Sequence, residues 1–154
     1  MLPSSSFTRR NIVRAAAVVP FATIGGTAAN SALRVGLIGA GGRGGSLARY
    51  LVRDKRARLV AICDVFDSQI EKAKKRIPIE DVKTYKDYRK LLASDEIDAV
   101  LIATPVYLHP EHLEAAVQAG KHVYVEKPAG VDVAGCRRVM KAADSAPRNL
   151  NLTM

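Results

Sequence analysis

The 154-residue sequence has no tryptophan, only three histidines and two cysteines, and its aromatic residues make up 5% of the chain. With no aromatics interleaved among its basic residues, it lacks the stacking surface of a nucleic-acid groove, and no nucleic-acid partner is expected. Cys63 and Cys136 are too few and too far apart for a disulfide-dense mini-protein, a zinc finger or a CxxC site, and are expected to be free thiols. His112 and His122 have no partners at metal-ligand spacing, so no metal is expected and both read as surface or strand-end residues. No apolar run reaches the ~18 residues a membrane-spanning helix needs. Charge is plentiful: 24 Lys and Arg against 15 Asp and Glu give +9. Three of those arginines lie in an acid-free leader, which leaves 21 basic against 15 acidic residues, or +6, for the rest. With 48% apolar and 25% charged residues, the chain has the proportions of one globular domain.

The leader is set apart first. Residues 1–31 hold Thr8-Arg9-Arg10-Asn11-Ile12-Val13-Arg14, then a small and apolar stretch over residues 15–26, then a small-residue exit near Ala28 to Ala32. A basic segment, a 12-residue apolar segment and small residues are the three parts of a secretory signal. The paired Arg9 and Arg10, and an apolar segment weakened by Pro20, Gly25 and Gly26, resemble a twin-arginine (Tat) signal. The expectation is a signal peptide over 1–31, recognition by the twin-arginine export machinery, and a periplasmic or otherwise exported protein.

From residue 32 onward, short apolar runs alternate with helical patterns, which predicts an α/β fold: a doubly wound parallel sheet of the Rossmann type over 32–154. Strands are expected at 33–38, 58–63, 82–85, 98–103, 122–125 and 150–154, and helices at 42–53, 67–76, 87–92, from Pro110 to Gly120, and 131–145. Pro110 suits a first helical turn and Gly120 a helix end. Lys72, Lys74, Lys75 and Arg76 form a solvated basic helix end that favours the helix dipole. The chain stops inside its sixth strand, so it reads as the N-terminal portion of something longer.

Gly39-Ala40-Gly41-Gly42-Arg43-Gly44 satisfies G-x-G-x-x-G between an apolar strand and a helix, the placement that confirms a dinucleotide pyrophosphate loop. Gly39 serves the tight turn, Gly41 the approach of the diphosphate and Gly44 the packing of helix on strand, while Gly42 adds flexibility and Arg43 a charge beside the anion. Asp64 follows Gly44 by 20 residues, where a carboxylate accepts ribose hydroxyls and repels a 2′-phosphate. Residues 65–67 offer no Arg or Lys, so NAD is expected before NADP. Capping of the next helix is the alternative role for Asp64. Thr104-Pro105 and Glu126-Lys127-Pro128 lie at the carboxyl ends of two further strands, the edge where open α/β sheets bind ligands. Lys127 there could exchange a proton with a substrate hydroxyl as hydride moves, or be a solvated or Glu-paired lysine.

These four motifs, in this order, resemble the Gfo/Idh/MocA family of glucose-fructose oxidoreductase and inositol dehydrogenase. The resemblance covers the family's N-terminal cofactor domain. It implies that Lys127 contacts substrate and nicotinamide and assists proton transfer, that Glu126 sits by the nicotinamide ribose, and that Thr104 and Pro105 line the dinucleotide cleft. It places His109 near the nicotinamide end, where a role at the start of the helix before Pro110 is the alternative. A second domain carrying the substrate pocket is absent, so this segment alone is expected to be inactive. In the full-length protein the resemblance implies an exported NAD-dependent oxidoreductase acting on a sugar, polyol or related carbohydrate, and, because relatives commonly associate, a homo-oligomer. Some members retain the nicotinamide, and others use transient oxidation within a hydrolytic cycle. A non-catalytic dinucleotide-binding module and a fold using S-adenosylmethionine, as in methyltransferases, are the competing readings.

Overall fold

The computed structural model describes residues 32–154, so the expected leader over 1–31 lies outside the described residues. Six parallel strands form one sheet in the order β3-β2-β1-β4-β5-β6. They are β1 (Leu33–Ile38), β2 (Ala57–Cys63), β3 (Lys83–Tyr85), β4 (Ala99–Ile102), β5 (His122–Val125) and β6 (Leu152–Thr153). The helices between them are α1 (Gly42–Leu51), α2 (Asp67–Arg76), α3 (Tyr88–Leu92), α4 (His109–Gln118) and α5 (Val133–Ser145), with a 3-10 turn at Val106–Leu108. The predicted α/β class is the observed one.

The alternation of strand side chains, shifted once where Val35 pairs with Leu59 and Gly36 with Ala61, divides the core between the two faces of the sheet. Val35, Leu37, Leu59, Ile62 and Leu101 pack with Ala48 of α1 and Ile70 and Ala73 of α2. Ile38, Ala61, Cys63, Val100 and Ile102 point the other way, onto Leu91 and Leu92 of α3, Leu113 and Ala116 of α4, and Val139 of α5. Leu37 and Ile62 are fully buried, and each such side chain stabilises the fold by roughly 2 kcal/mol. On the face that carries α1 and α2, an apolar groove of about 450 Å³ runs over β4, β5 and β6.

Where elements differ from expectation, hydrogen bonds say why. α1 ends at Leu51 rather than Arg53, because the N–H groups of Arg53 and Asp54 turn back onto the carbonyls of Tyr50 and Leu51. α5 begins at Val133 rather than residue 131, because the Asp132 carboxylate accepts the Gly135 N–H at 2.6 Å and fixes the cap there. Asp87, expected inside α3, caps it instead by accepting the Arg89 N–H. Gly120, with φ +68, follows the end of α4 in the left-handed conformation that glycine adopts most readily.

Among the described residues no helix is long and apolar enough to cross a membrane, and no three His, Cys, Asp or Glu side chains cluster to hold a metal ion. Cys63 and Cys136 are both free thiols, and burial pushes the Cys63 thiol up to about 12.

Candidate active site at the carboxyl edge of the sheet

From β1 the chain winds outward through β2 to β3, then returns to β4 and winds the other way to β6. The connections therefore diverge above β1 and β4, and a cleft opens at the carboxyl ends of these two strands. Gly39 closes β1 with φ +91 and brings the loop against β4. A Cβ on Gly39 would lie 2.8 Å from the backbone of Ala103 and Thr104. A Cβ on Gly44 would collide with the Gly39 carbonyl oxygen, so α1 starts as close to β1 as backbone allows.

The loop fits a dinucleotide. No side chain caps α1, whose cap residue is Gly41 and whose first turn holds no acidic residue, so its leading N–H groups stay available to an anion. A Cβ on Gly41 or Gly42 would meet nothing within 4 Å, and Gly39 and Gly41 line a cavity of about 660 Å³ together with Asp64, Phe66, Thr104, Pro105 and Tyr107. The uncapped helix end and the open volume suit a diphosphate and the adenosine beyond it.

Asp64, at the end of β2, accepts the Ala40 N–H at 2.8 Å through one carboxylate oxygen and the Phe66 N–H at 2.9 Å through the other. It thereby ties the glycine loop to the turn before α2. The cap position of α2 is Phe66 and no side chain caps that helix, so Asp64 does not take the capping role given as its alternative; each of its oxygens keeps a second lone pair with which to accept a ribose hydroxyl.

Arg43, in the first turn of α1, reaches over the end of β4 to Glu126, with its guanidinium 2.8 Å from the carboxylate. Glu126 is 7% exposed and also accepts the Tyr124 hydroxyl at 3.3 Å. The Arg43 hydrogen bond holds its carboxyl below the usual range against the opposing effect of burial. Arg43, expected as a charge beside the anion, also bridges the glycine loop and the Glu126-Lys127-Pro128 loop. Because Glu126 is committed to Arg43, Lys127 is not the Glu-paired lysine weighed above. Its side chain is exposed at the end of β5.

His109 opens α4, immediately before Pro110, the alternative role given for it. It is 1% exposed, with Nδ1 2.8 Å from the Pro128 carbonyl oxygen and Nε2 2.9 Å from that of Thr104. The neutral imidazole donates from one ring nitrogen to one of these carbonyls and sets the other nitrogen beside the second, so the ring lies between the loop after β4 and the loop after β5. It positions the cleft instead of lining it. His112, expected at the surface, is also buried, one helical turn further along α4. Its Nδ1 lies 3.0 Å from the Thr104 hydroxyl, and its ring packs on Tyr88 at 4.2 Å between centroids. His122 does sit at the start of its strand, where it accepts the Asn151 N–H. The Tyr88 hydroxyl donates to Glu111 at 2.6 Å, and burial, reinforced by that carboxylate, raises the phenol to about 12.

Sequence reasoning passed over His112, Tyr88, Glu111 and Lys86, all of which border the cavity. The spacing of His109 and His112, three residues apart and so on one face of a helix, was the available signal for the first.

Comparison with known proteins places this geometry among relatives. The model of the Gfo/Idh/MocA oxidoreductase family, NAD-binding Rossmann fold, matches residues 33–153. A glycosyl hydrolase family 109 protein of Shewanella amazonensis is 36% identical over 124 residues, covering 76% of this chain and 27% of that protein. An alpha-N-acetylgalactosaminidase of Shewanella oneidensis is 34% identical over the same shares. The structure of myo-inositol 2-dehydrogenase from Lactobacillus plantarum superposes with a TM-score of 0.71 at 35% identity, covering 79% of this chain and 35% of that one. Scyllo-inositol dehydrogenase from Lactobacillus casei, solved with bound NAD(H) and scyllo-inositol, gives a TM-score of 0.71 at 28% identity. The chain spans about a quarter of the length of the curated relatives it matches, 27%.

Proposed function

Because the chain belongs to the Gfo/Idh/MocA oxidoreductase family, with its NAD-binding Rossmann fold, we propose that it holds NAD for a hydride transfer to or from a sugar, polyol or related carbohydrate. The observation that carries this reading is the uncapped start of α1 facing a cavity of about 660 Å³ that Asp64, Thr104 and Pro105 also line. Bound nicotinamide would supply the hydride chemistry. The residues of this chain do the rest. The leading N–H groups of α1 hold the diphosphate, and Asp64 takes the adenosine ribose. Arg43 and Glu126 fix the far side of the cleft. Lys127, exposed and free of Glu126, exchanges the proton of a substrate hydroxyl.

A second reading takes its support from the relatives named as glycosyl hydrolase family 109 protein and alpha-N-acetylgalactosaminidase. In it the same hydride is removed from a glycoside and later returned, so that the glycosidic bond is hydrolysed by water with no net consumption of NAD.

Titration of the purified chain with NADH, read by nicotinamide fluorescence, tests the shared premise; saturable binding is expected, and its absence would remove both readings. Turnover by the full-length gene product then separates them. Net NADH accumulation with a polyol marks a dehydrogenase, whereas release of free sugar with no net formation of NADH marks the hydrolytic cycle. In either case Lys127→Ala is expected to lower kcat by about 100-fold, the scale of a lost acid–base group, with NADH affinity little changed.

We also propose that the protein is exported folded through the twin-arginine route, on the strength of Arg9, Arg10 and the mildly apolar stretch over residues 15–26. Replacing both arginines with lysine is expected to strand the protein in the cytoplasm in cell fractionation. Equal periplasmic yield of wild type and variant would exclude that route.

A further inference from the structure

The preference for NAD read from the sequence rests on Asp64 and on the lack of a basic residue at positions 65–67. The fold brings a basic residue to that turn from elsewhere. β2 and β3 pair with Cys63 opposite Tyr85, and the Asp64 N–H donates to the Tyr85 carbonyl at 3.2 Å. Asp64 and Lys86 therefore leave the sheet side by side at its carboxyl edge. The Lys86 ammonium lies 2.6 Å from the Asp67 carboxylate and donates to the Val65 carbonyl at 3.2 Å. Val65 belongs to the turn that follows Asp64 and Asp67 opens α2, and Asp64, Val65, Phe66 and Lys86 border one cavity.

We propose that Lys86 is a specificity residue that receives a 2′-phosphate, so that Asp64 and Lys86 act in opposition on the adenosine ribose and the chain binds NADP as well as NAD, with NAD the tighter ligand. The inference rests on the dinucleotide reading of this cleft and concerns only its adenosine end. Asp64 favours two free ribose hydroxyls and repels a phosphate at the 2′ position. Lys86 pulls the other way, and its present partner holds it weakly. The Asp67 side chain is 85% exposed, and an ion pair this open to water contributes little. A phosphate dianion would take the ammonium from Asp67 in a stronger charge-assisted contact while the carboxylate turns into solvent. Arg89, the other cation bordering the cavity, is committed to Glu111 at 2.9 Å and lies near Asp87 at 3.7 Å. Among the described residues bordering the cavity, Lys86 is therefore the cation that stands beside Asp64 and is placed to answer a 2′-phosphate.

The test titrates the purified full chain with NADH and with NADPH. Wild type is expected to bind both, NADH the more tightly. Lys86→Met is expected to weaken NADPH by about tenfold, the scale of one lost charged hydrogen bond, while NADH stays within about twofold because it carries no group for Lys86. Lys86→Arg should keep NADPH binding. A Met variant that loses NADPH no more than NADH would overturn the proposal, as would a wild type that binds NADH but no NADPH. A measurement on wild type alone guards against a variant that fails to fold. Added potassium chloride should weaken NADPH more steeply than NADH, and parallel salt dependences would also overturn the proposal. A wild type that binds neither nucleotide would instead strike the dinucleotide reading itself, and this inference with it.

Discussion

Gly41 and Gly44 stand three residues apart in one loop, yet a methyl group would meet opposite surroundings at the two positions. At Gly44 it would run into the Gly39 carbonyl oxygen and approach the Ala103 side chain, both fixed by the pairing of β1 with β4. At Gly41 it would stand in open space on the wall of the cavity, at φ −61 and ψ −171, which alanine adopts without strain. The substitution Gly44→Ala is therefore expected to lower stability by about 2 kcal/mol or more, because backbone cannot move aside cheaply. Gly41→Ala should leave the urea midpoint close to wild type and weaken NADH at least tenfold, since its methyl occupies the approach of the diphosphate. Chemical denaturation and NADH titration of both variants check the split. Equal losses of stability in the two would show that the loop's glycines serve only packing.

At the scale of elements, legibility followed how locally each feature is encoded. β1, β5 and α2 were read to the residue, since an apolar strand beside a glycine turn or an amphipathic period ending before Pro78 is written in consecutive positions. The ends of α1 and α5 were misplaced by two residues because the decisive contacts, the turn at Arg53 and Asp54 and the Asp132 cap, belong to residues just outside the helices. The candidate site divides the same way. The glycine loop and Asp64 announce themselves by spacing, and the structure joins them through the Ala40 N–H. The Arg43–Glu126 bridge, 83 residues apart, and the place of Lys86 beside Asp64 exist only once strand order brings those ends together. His109 shows the limit most clearly. Its position before Pro110 announces the start of α4, but only the assembled fold sets its ring between the carbonyls of Thr104 and Pro128.

For the whole molecule, the helices that cover the back of the sheet also bury a titratable ring, which makes global stability depend on pH. Burial pulls the His112 imidazole down to about 4 from its ordinary 6.5, with the Glu111 carboxylate opposing that shift and His109 and Arg89 adding to it. Thr104 faces the ring from the loop after β4, and Tyr88 packs on it from α3. An unfolded chain takes up the proton near pH 6.5, whereas the native chain refuses it until about pH 4. Between those values the unfolded state binds more protons, so the contribution of His112 is present in full above pH 6.5 and fades as pH falls toward 4. Its size is on the order of 3 kcal/mol at most. Asp98, Glu111 and Glu126 are held below their usual values, first by hydrogen bonds from Arg34, Tyr88 and Arg43 respectively. What they contribute is present above the ordinary carboxylate range and lost only as pH falls below it, so their loss does not overlap the interval from about 6.5 to 4.5 in which the contribution of His112 fades. Urea midpoints of wild type are therefore expected to drop across that interval. In His112→Asn, which keeps an amide near the Thr104 hydroxyl but cannot titrate, the drop should shrink by more than half. A variant that retained the full wild-type slope would assign the acid sensitivity to other groups and leave His112 as a packing residue beneath Thr104.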